Sequence, residues 1–210
     1  MRIRKIIEKG RNALIVGSTL LTLANQAYAG GFGKVGGYID NRGFSNVVFT
    51  GGASDLPFRT KIFGFADAET ERGDRNSLRK PYSEVSLSRK AGNGLGVSVE
   101  YNRDFNLNTG VSRVGLIYEP RLSGFLGIKF HPVSTRDNGV QIGVYGSKSF
   151  NNGNEYVEGF ADYNFKPKKF VGEVQFGKRI KDNLYGVVEG RYNGFRVDKK
   201  GAGFGLEWKL

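Results

Sequence analysis

The only histidine of this 210-residue chain, His131, is the natural starting point for any chemistry. An imidazole beside a serine hydroxyl is the minimal nucleophile–base pair of acyl transfer. Ser134 and Ser147 are near enough in sequence or strand order to be its partners. The surrounding pattern argues against that role. Pro132 and Val133 separate His131 from Ser134, and no Gly-x-Ser-x-Gly elbow occurs. One histidine, no cysteine and no clustered carboxylates leave no metal-ligand set. The glycines follow hairpin spacing and none precedes a helix, so no phosphate loop is expected. The chain is therefore read as non-enzymatic and without cofactor or metal. A His131-dependent hydrolase or acyltransferase is the catalytic alternative.

A second group of residues could act on a solute without reacting with it. Side chains along a strand alternate between its two faces. Registers built on that rule place Glu84, Glu100, Glu158, Asp162, Glu173, Glu189 and Glu207 on one face together with Arg113, Lys129, Arg179, Arg191 and Lys209. Charges of this kind can select solutes in a water-filled pore, or pair across strands and fill a narrow lumen. Their mixed sign predicts weak charge selectivity. Asp67 and Glu69 fit the same face, but Phe63 and Phe65 in their strand leave its register ambiguous.

The elements that must carry these residues are antiparallel strands. Turn signals recur along the chain, among them Gly92-Asn93-Gly94, Asp137-Asn138-Gly139, Asn151-Asn152-Gly153 and Lys181-Asp182-Asn183. Opposite the charged positions stand apolar ones: Leu95, Val97 and Val99; Val114 and Leu116; Ile142 and Val144; Val174 and Phe176. Two short strands around Asn41-Arg42-Gly43, followed by ten after Phe58, predict twelve strands, with ten as the fallback. The expected class is all-β, a transmembrane antiparallel up-and-down β-barrel in one domain over residues 30–210.

Both ends of the chain bear on its location. A basic segment reaches Arg11, an apolar stretch runs from Ala13 to Ala24, and Ala27-Tyr28-Ala29 fits a small-x-small cleavage site. The apolar stretch falls well short of the roughly 20 residues a spanning helix needs. Residues 1–29 are thus expected to be a cleaved signal peptide, whose loss takes the net charge from +12 to +8 because five Lys/Arg and one Glu leave with it. At the other end, Ala202, Phe204, Leu206, Trp208 and Leu210 alternate with Gly203, Gly205, Glu207 and Lys209. A terminal strand of this kind in an exported chain resembles that of bacterial outer-membrane β-barrels, although Leu210 stands where Phe is usual. Within that class, the short turns and strand count resemble the small monomeric channels, the nucleoside-specific channels and the porins for acidic sugars. The resemblance implies passive diffusion of small polar, including anionic, solutes. It also implies a C-terminal strand that the barrel-assembly machinery reads. A closed-lumen barrel, lipid-modifying or structural, is the alternative.

The same topology sorts the rims. Tyr101, Tyr163 and Tyr192 are expected near one rim, and Tyr118 and Trp208 near the other, as two interfacial girdles. Arg72, Arg75, Arg79, Lys80, Arg136, Lys166, Lys168, Lys169, Lys199 and Lys200 are expected in or beside the outward-facing loops. There they would meet lipopolysaccharide phosphates or draw in anionic solutes. Nucleic acid is excluded as a partner, because the basic residues lie in turns and not on one continuous face.

Overall fold

The computed structural model describes residues 31–210 apart from 43, 72–73, 106–107, 121–124, 136–138 and 198. The expected leader, Arg72 and Arg136 lie outside the described residues. Twelve strands form one closed antiparallel barrel in which each strand pairs with its sequence neighbours and β1 closes on β12. They are β1 (Gly31–Asp40), β2 (Phe44–Leu56), β3 (Thr60–Glu71), β4 (Asp74–Gly92), β5 (Leu95–Asp104) and β6 (Thr109–Tyr118). β7 (Leu126–Ser134), β8 (Gln141–Phe150), β9 (Glu155–Asn164), β10 (Lys169–Lys181), β11 (Leu184–Asn193) and β12 (Lys200–Lys209) complete the circle. The even count puts both described ends at one rim.

Local chemistry explains where the strands reverse. At the β4–β5 turn, Asn93 and Gly94 both take positive φ, at 48° and 82°. That is the conformation of the hairpin turn whose twist matches its flanking strands, and Asn-Gly adopts it with least strain. Asp182 takes positive φ, 44°, at the first position of the two-residue turn between β10 and β11. β4 is the longest strand at 19 residues.

Burial alternates with the pleat. Along β5, Gly96, Ser98 and Glu100 are buried while Leu95, Val97 and Val99 are exposed. The sense is the inverse of a soluble protein. Outward Val97, Val114, Leu116, Val174, Val188, Phe204 and Leu206 are 51–65% exposed, whereas inward Glu100, Arg113, Glu189 and Glu207 are 0–6% exposed. An apolar exterior around a charged interior suits lipid and not water. Tyr101, Tyr118 and Trp208 also stand outward, 42–46% exposed, near strand ends on the rims expected for them. Placing a charge on this exterior should therefore be costly. Val188→Arg, at the middle of β11 on the outward face, is expected to lose about 2–4 kcal/mol of folding free energy in lipid vesicles. Ser88→Arg, on the inward face, is expected to lose less than half as much in the same urea titration.

Candidate functional site

Charged and aromatic side chains cluster along the inward face of the barrel, and three of these clusters hold most of the residues expected in the lumen. Their bonds cross the interior as well as running along the wall.

The first group lies toward the rim that holds the termini. Lys34 of β1 pairs with Glu158 of β9 and stands 3.0 Å from Glu207 of β12. Strands β10, β11 and β12 separate β1 from β9 in the wall, so the Lys34–Glu158 pair spans the lumen. Glu207 is fully buried and also accepts hydrogen bonds from Tyr38 Oη at 3.2 Å and Tyr156 Oη at 2.9 Å. Lys209 Nζ sits over the Tyr156 ring, 3.6 Å from its centroid, and over Tyr185 at 4.2 Å. The glycines opposite make this possible. A Cβ on Gly177 would enter the Tyr156 ring, and one on Gly36 or Gly205 would enter that of Tyr38.

In the second group, Arg113 Nη1 donates to Glu100 Oε1 at 2.9 Å and Lys129 Nζ to Glu100 Oε2 at 3.1 Å. Lys129 also stands 3.0 Å from Asp162. Lys129 is on β7 and Asp162 on β9; Gly143 of β8 lies between them, and a Cβ there would strike both side chains. Glu84 joins this group by accepting a bond from Tyr82 Oη at 3.2 Å.

The third group faces the opposite rim. Arg191 pairs with Glu173 at 2.9 Å and donates from Nη2 to Glu189 at 3.0 Å. Arg196, from the β11–β12 loop, reaches across to Glu69 of β3, its Nη1 donating at 3.0 Å.

Each residue expected in the lumen thus projects inward. Most are engaged with one another, and Arg179 is exposed at the mouth, bonded to Tyr185 Oη and the Gly153 carbonyl. The ambiguous strand resolves as well. Phe63, Phe65, Asp67 and Glu69 pair with Gly52, Thr50, Val48 and Asn46 on the inward face, so aromatics and acids share one side of β3. Of the expected basic rim, Lys166, Lys168, Lys169, Lys199 and Lys200 lie at the rim opposite the termini, and Arg75, Arg79 and Lys80 lie on β4 toward that rim. Sequence reasoning missed Lys34, Tyr38 and Tyr156. The alternation Phe32, Lys34, Gly36, Tyr38, Asp40 was the available signal.

At the termini-bearing mouth, Glu119 is clamped by Lys61 Nζ at 3.0 Å and Lys90 Nζ at 2.5 Å, and accepts from Tyr145 Oη at 3.0 Å. Burial opposes ionisation of Glu119, but these hydrogen bonds outweigh it and hold its pKa below the usual carboxylate value. The clamp is thus intact at neutral pH and is lost only as pH falls through that depressed value.

His131 bonds to neither Ser134 nor Ser147. Its Nε2 lies 2.9 Å from Ser98 Oγ of β5, and its Nδ1 lies 3.3 Å from Gln141 Oε1. Ser134 Oγ instead donates to the Gly139 carbonyl. Gly115 of β6 leaves room for the imidazole to reach past it to Ser98. The order serine, imidazole, amide resembles a catalytic relay in outline. Ser98, His131 and Gln141 are each at most 5% exposed, however, and Ser98 lies in a strand paired on both sides. The amides on either side of Ser98 are thus committed to the β-ladder and are not gathered around its hydroxyl as an oxyanion hole would require.

No family model and no curated protein matches the chain. Among solved structures, it is similar to the KdgM porin in complex with disordered oligogalacturonate, with TM-score 0.53, 9% identity, and coverage of 84% of this chain and 98% of that one. The KdgM porin alone gives TM-score 0.53 and 9% identity over 83% and 98% of the two chains. A mutant Rhodopseudomonas blastica porin is more distant, at TM-score 0.40 and 8% identity over 86% and 98%. At these identities the likeness is one of fold.

Proposed function

We propose that this protein is a passive channel of a bacterial outer membrane that admits small polar solutes with a bias toward anions. The observation that carries the reading is the closed barrel with a charged interior and an apolar exterior. Residues 1–29 act as the export leader, and the regular terminal strand is the element the assembly machinery reads. The basic residues Lys166, Lys168, Lys169, Lys199 and Lys200 face lipopolysaccharide phosphates and raise the local concentration of anions, an attraction that weakens with salt. Arg75, Arg79 and Lys80 belong to the part of β4 nearest the same rim. The KdgM porin, solved in complex with disordered oligogalacturonate, supports the channel reading by its fold. No step of chemistry is required, and the Ser98–His131–Gln141 chain serves the wall.

The cross-lumen pairs favour one alternative, a barrel whose interior is shut. Single-channel recording of the refolded protein in a planar bilayer separates the two. Discrete steps with a reversal potential shifted toward anions are the expected result. A correctly folded barrel, shown by its mobility shift on heating, that passes no current would sink the channel reading.

A further inference from the structure

Four inward aromatic side chains form a continuous ladder on the wall made by β1, β3 and β4. Phe32 stacks on Phe63 with ring centroids 6.3 Å apart and planes 28° from parallel. Phe63 is followed by Phe65 at 6.4 Å, and Phe65 by Tyr82 at 5.6 Å. Gly52 of the intervening strand lets the Phe32 ring lie flat over β2.

Exposure falls along the ladder. Phe32 is 43% and Phe63 37% exposed, while Phe65 and Tyr82 are half-buried deeper in the barrel. These first two rings do not face lipid, because they share the inward register of Lys34 and of Asp67. They are apolar surface presented to the aqueous mouth, in an interior otherwise dominated by charged and polar groups. Rings left uncovered in such a place are suited to cover another flat ring, and stacking works in that geometry for any partner with a π face.

Charge beside the rings narrows the partner further. Lys61 stands one inward step toward the mouth from Phe63, and Lys90 is on the adjoining strand. The two ammonium groups share the single carboxylate of Glu119, and each Lys side chain is 37% exposed. The mouth of the ladder therefore carries a local cationic excess. Deeper in, Tyr82 Oη is bonded to Glu84, so the far end of the ladder is acidic. A ligand oriented by this field would lay its ring on Phe32 and Phe63 with its anionic group toward Lys61 and Lys90.

The geometry points to a binding track for aromatic ring anions, such as aromatic carboxylates, running inward from the termini-bearing mouth. It rests on the channel reading and names the substrate class for it. Its test does not depend on conduction. Benzoate is titrated into refolded barrel in detergent and followed by saturation-transfer NMR and calorimetry, beside cyclohexanecarboxylate, acetate, galacturonate and benzyl alcohol.

Benzoate is expected to bind at least fivefold more tightly than each of the other probes. The F32L/F63L variant, which keeps apolar bulk without rings, should weaken benzoate at least tenfold and leave acetate unchanged. K61Q/K90Q should abolish the preference for benzoate over benzyl alcohol. Heat-modifiable mobility reports that each variant still folds. Equal binding of benzoate and cyclohexanecarboxylate, equal binding of galacturonate, or benzoate binding undiminished in folded F32L/F63L would overturn the track. A barrel that conducts but binds no benzoate refutes the track alone. One that binds benzoate through these rings but never conducts keeps the binding site and refutes the channel.

Discussion

Replacing Lys34 by methionine is expected to destabilise the barrel by about 3–5 kcal/mol, because it strands a buried carboxylate. Glu207 is 0% exposed, and its cationic contact is Lys34 at 3.0 Å; the hydroxyls of Tyr38 and Tyr156 cannot neutralise its charge. The same change releases Glu158, four strands away around the wall. Two readouts should move together. The midpoint of urea unfolding in vesicles should fall, and single-channel conductance should rise as the cross-lumen pair is lost. The K34M/E207Q variant should recover most of the lost stability, since it removes the stranded charge along with its partner. It should also retain the larger conductance. A K34M barrel with unchanged unfolding midpoint would show that this pair contributes nothing measurable.

Glu100→Leu is the second large effect, again about 3–5 kcal/mol, for the opposite reason: here two cations lose the carboxylate between them. Arg113 and Lys129 hold Glu100 at 2.9 and 3.1 Å, with Arg113 and Glu100 at most 6% exposed. Lys129 retains Asp162 at 3.0 Å, so the greater share of the penalty should fall on Arg113. A double-mutant cycle with Arg113→Met checks this. The coupling between positions 100 and 113 should exceed that between 100 and 129. Equal coupling at the two sites would mean that Asp162 does not shield Lys129.

The strands were legible because their period is simple and their turns carry recognisable residues. Asn93-Gly94 and Asp182-Asn183 mark reversals in the sequence itself, and two strands around Asn41 complete the even count. Which residues face inward was legible for the same reason. Who pairs with whom was not. Lys34 and Glu158 are 124 positions apart and meet only because the barrel closes β1 onto β12 and so sets β1 four strands from β9 around the wall. No local periodicity encodes that distance. His131 illustrates the point within the wall, where its partner is Ser98, two strands away, and not the serines nearest it in the hairpin. The strand from Phe63 to Glu69 was ambiguous because the rule of apolar-out, polar-in has no place for rings inside; the aromatic ladder is the reason it fails there.

The glycine sockets under the inward tyrosines have a consequence for how the barrel finds its register. Side-chain alternation forbids a strand from slipping by one residue, since that would turn every apolar group inward. It is blind to a slip of two, which leaves the pattern intact. The sockets are not blind to it. Tyr156 faces Gly177, Tyr145 faces Gly127 and Tyr38 faces Gly205 across their strand pairs. A two-residue slip of β9 along β10 would set Tyr156 against Gln175 or Arg179, where a side chain already fills the space its ring requires. Each ring and its missing Cβ thus work as a key and keyway. Several such keys around the circumference admit one alignment of the closed sheet and jam the others.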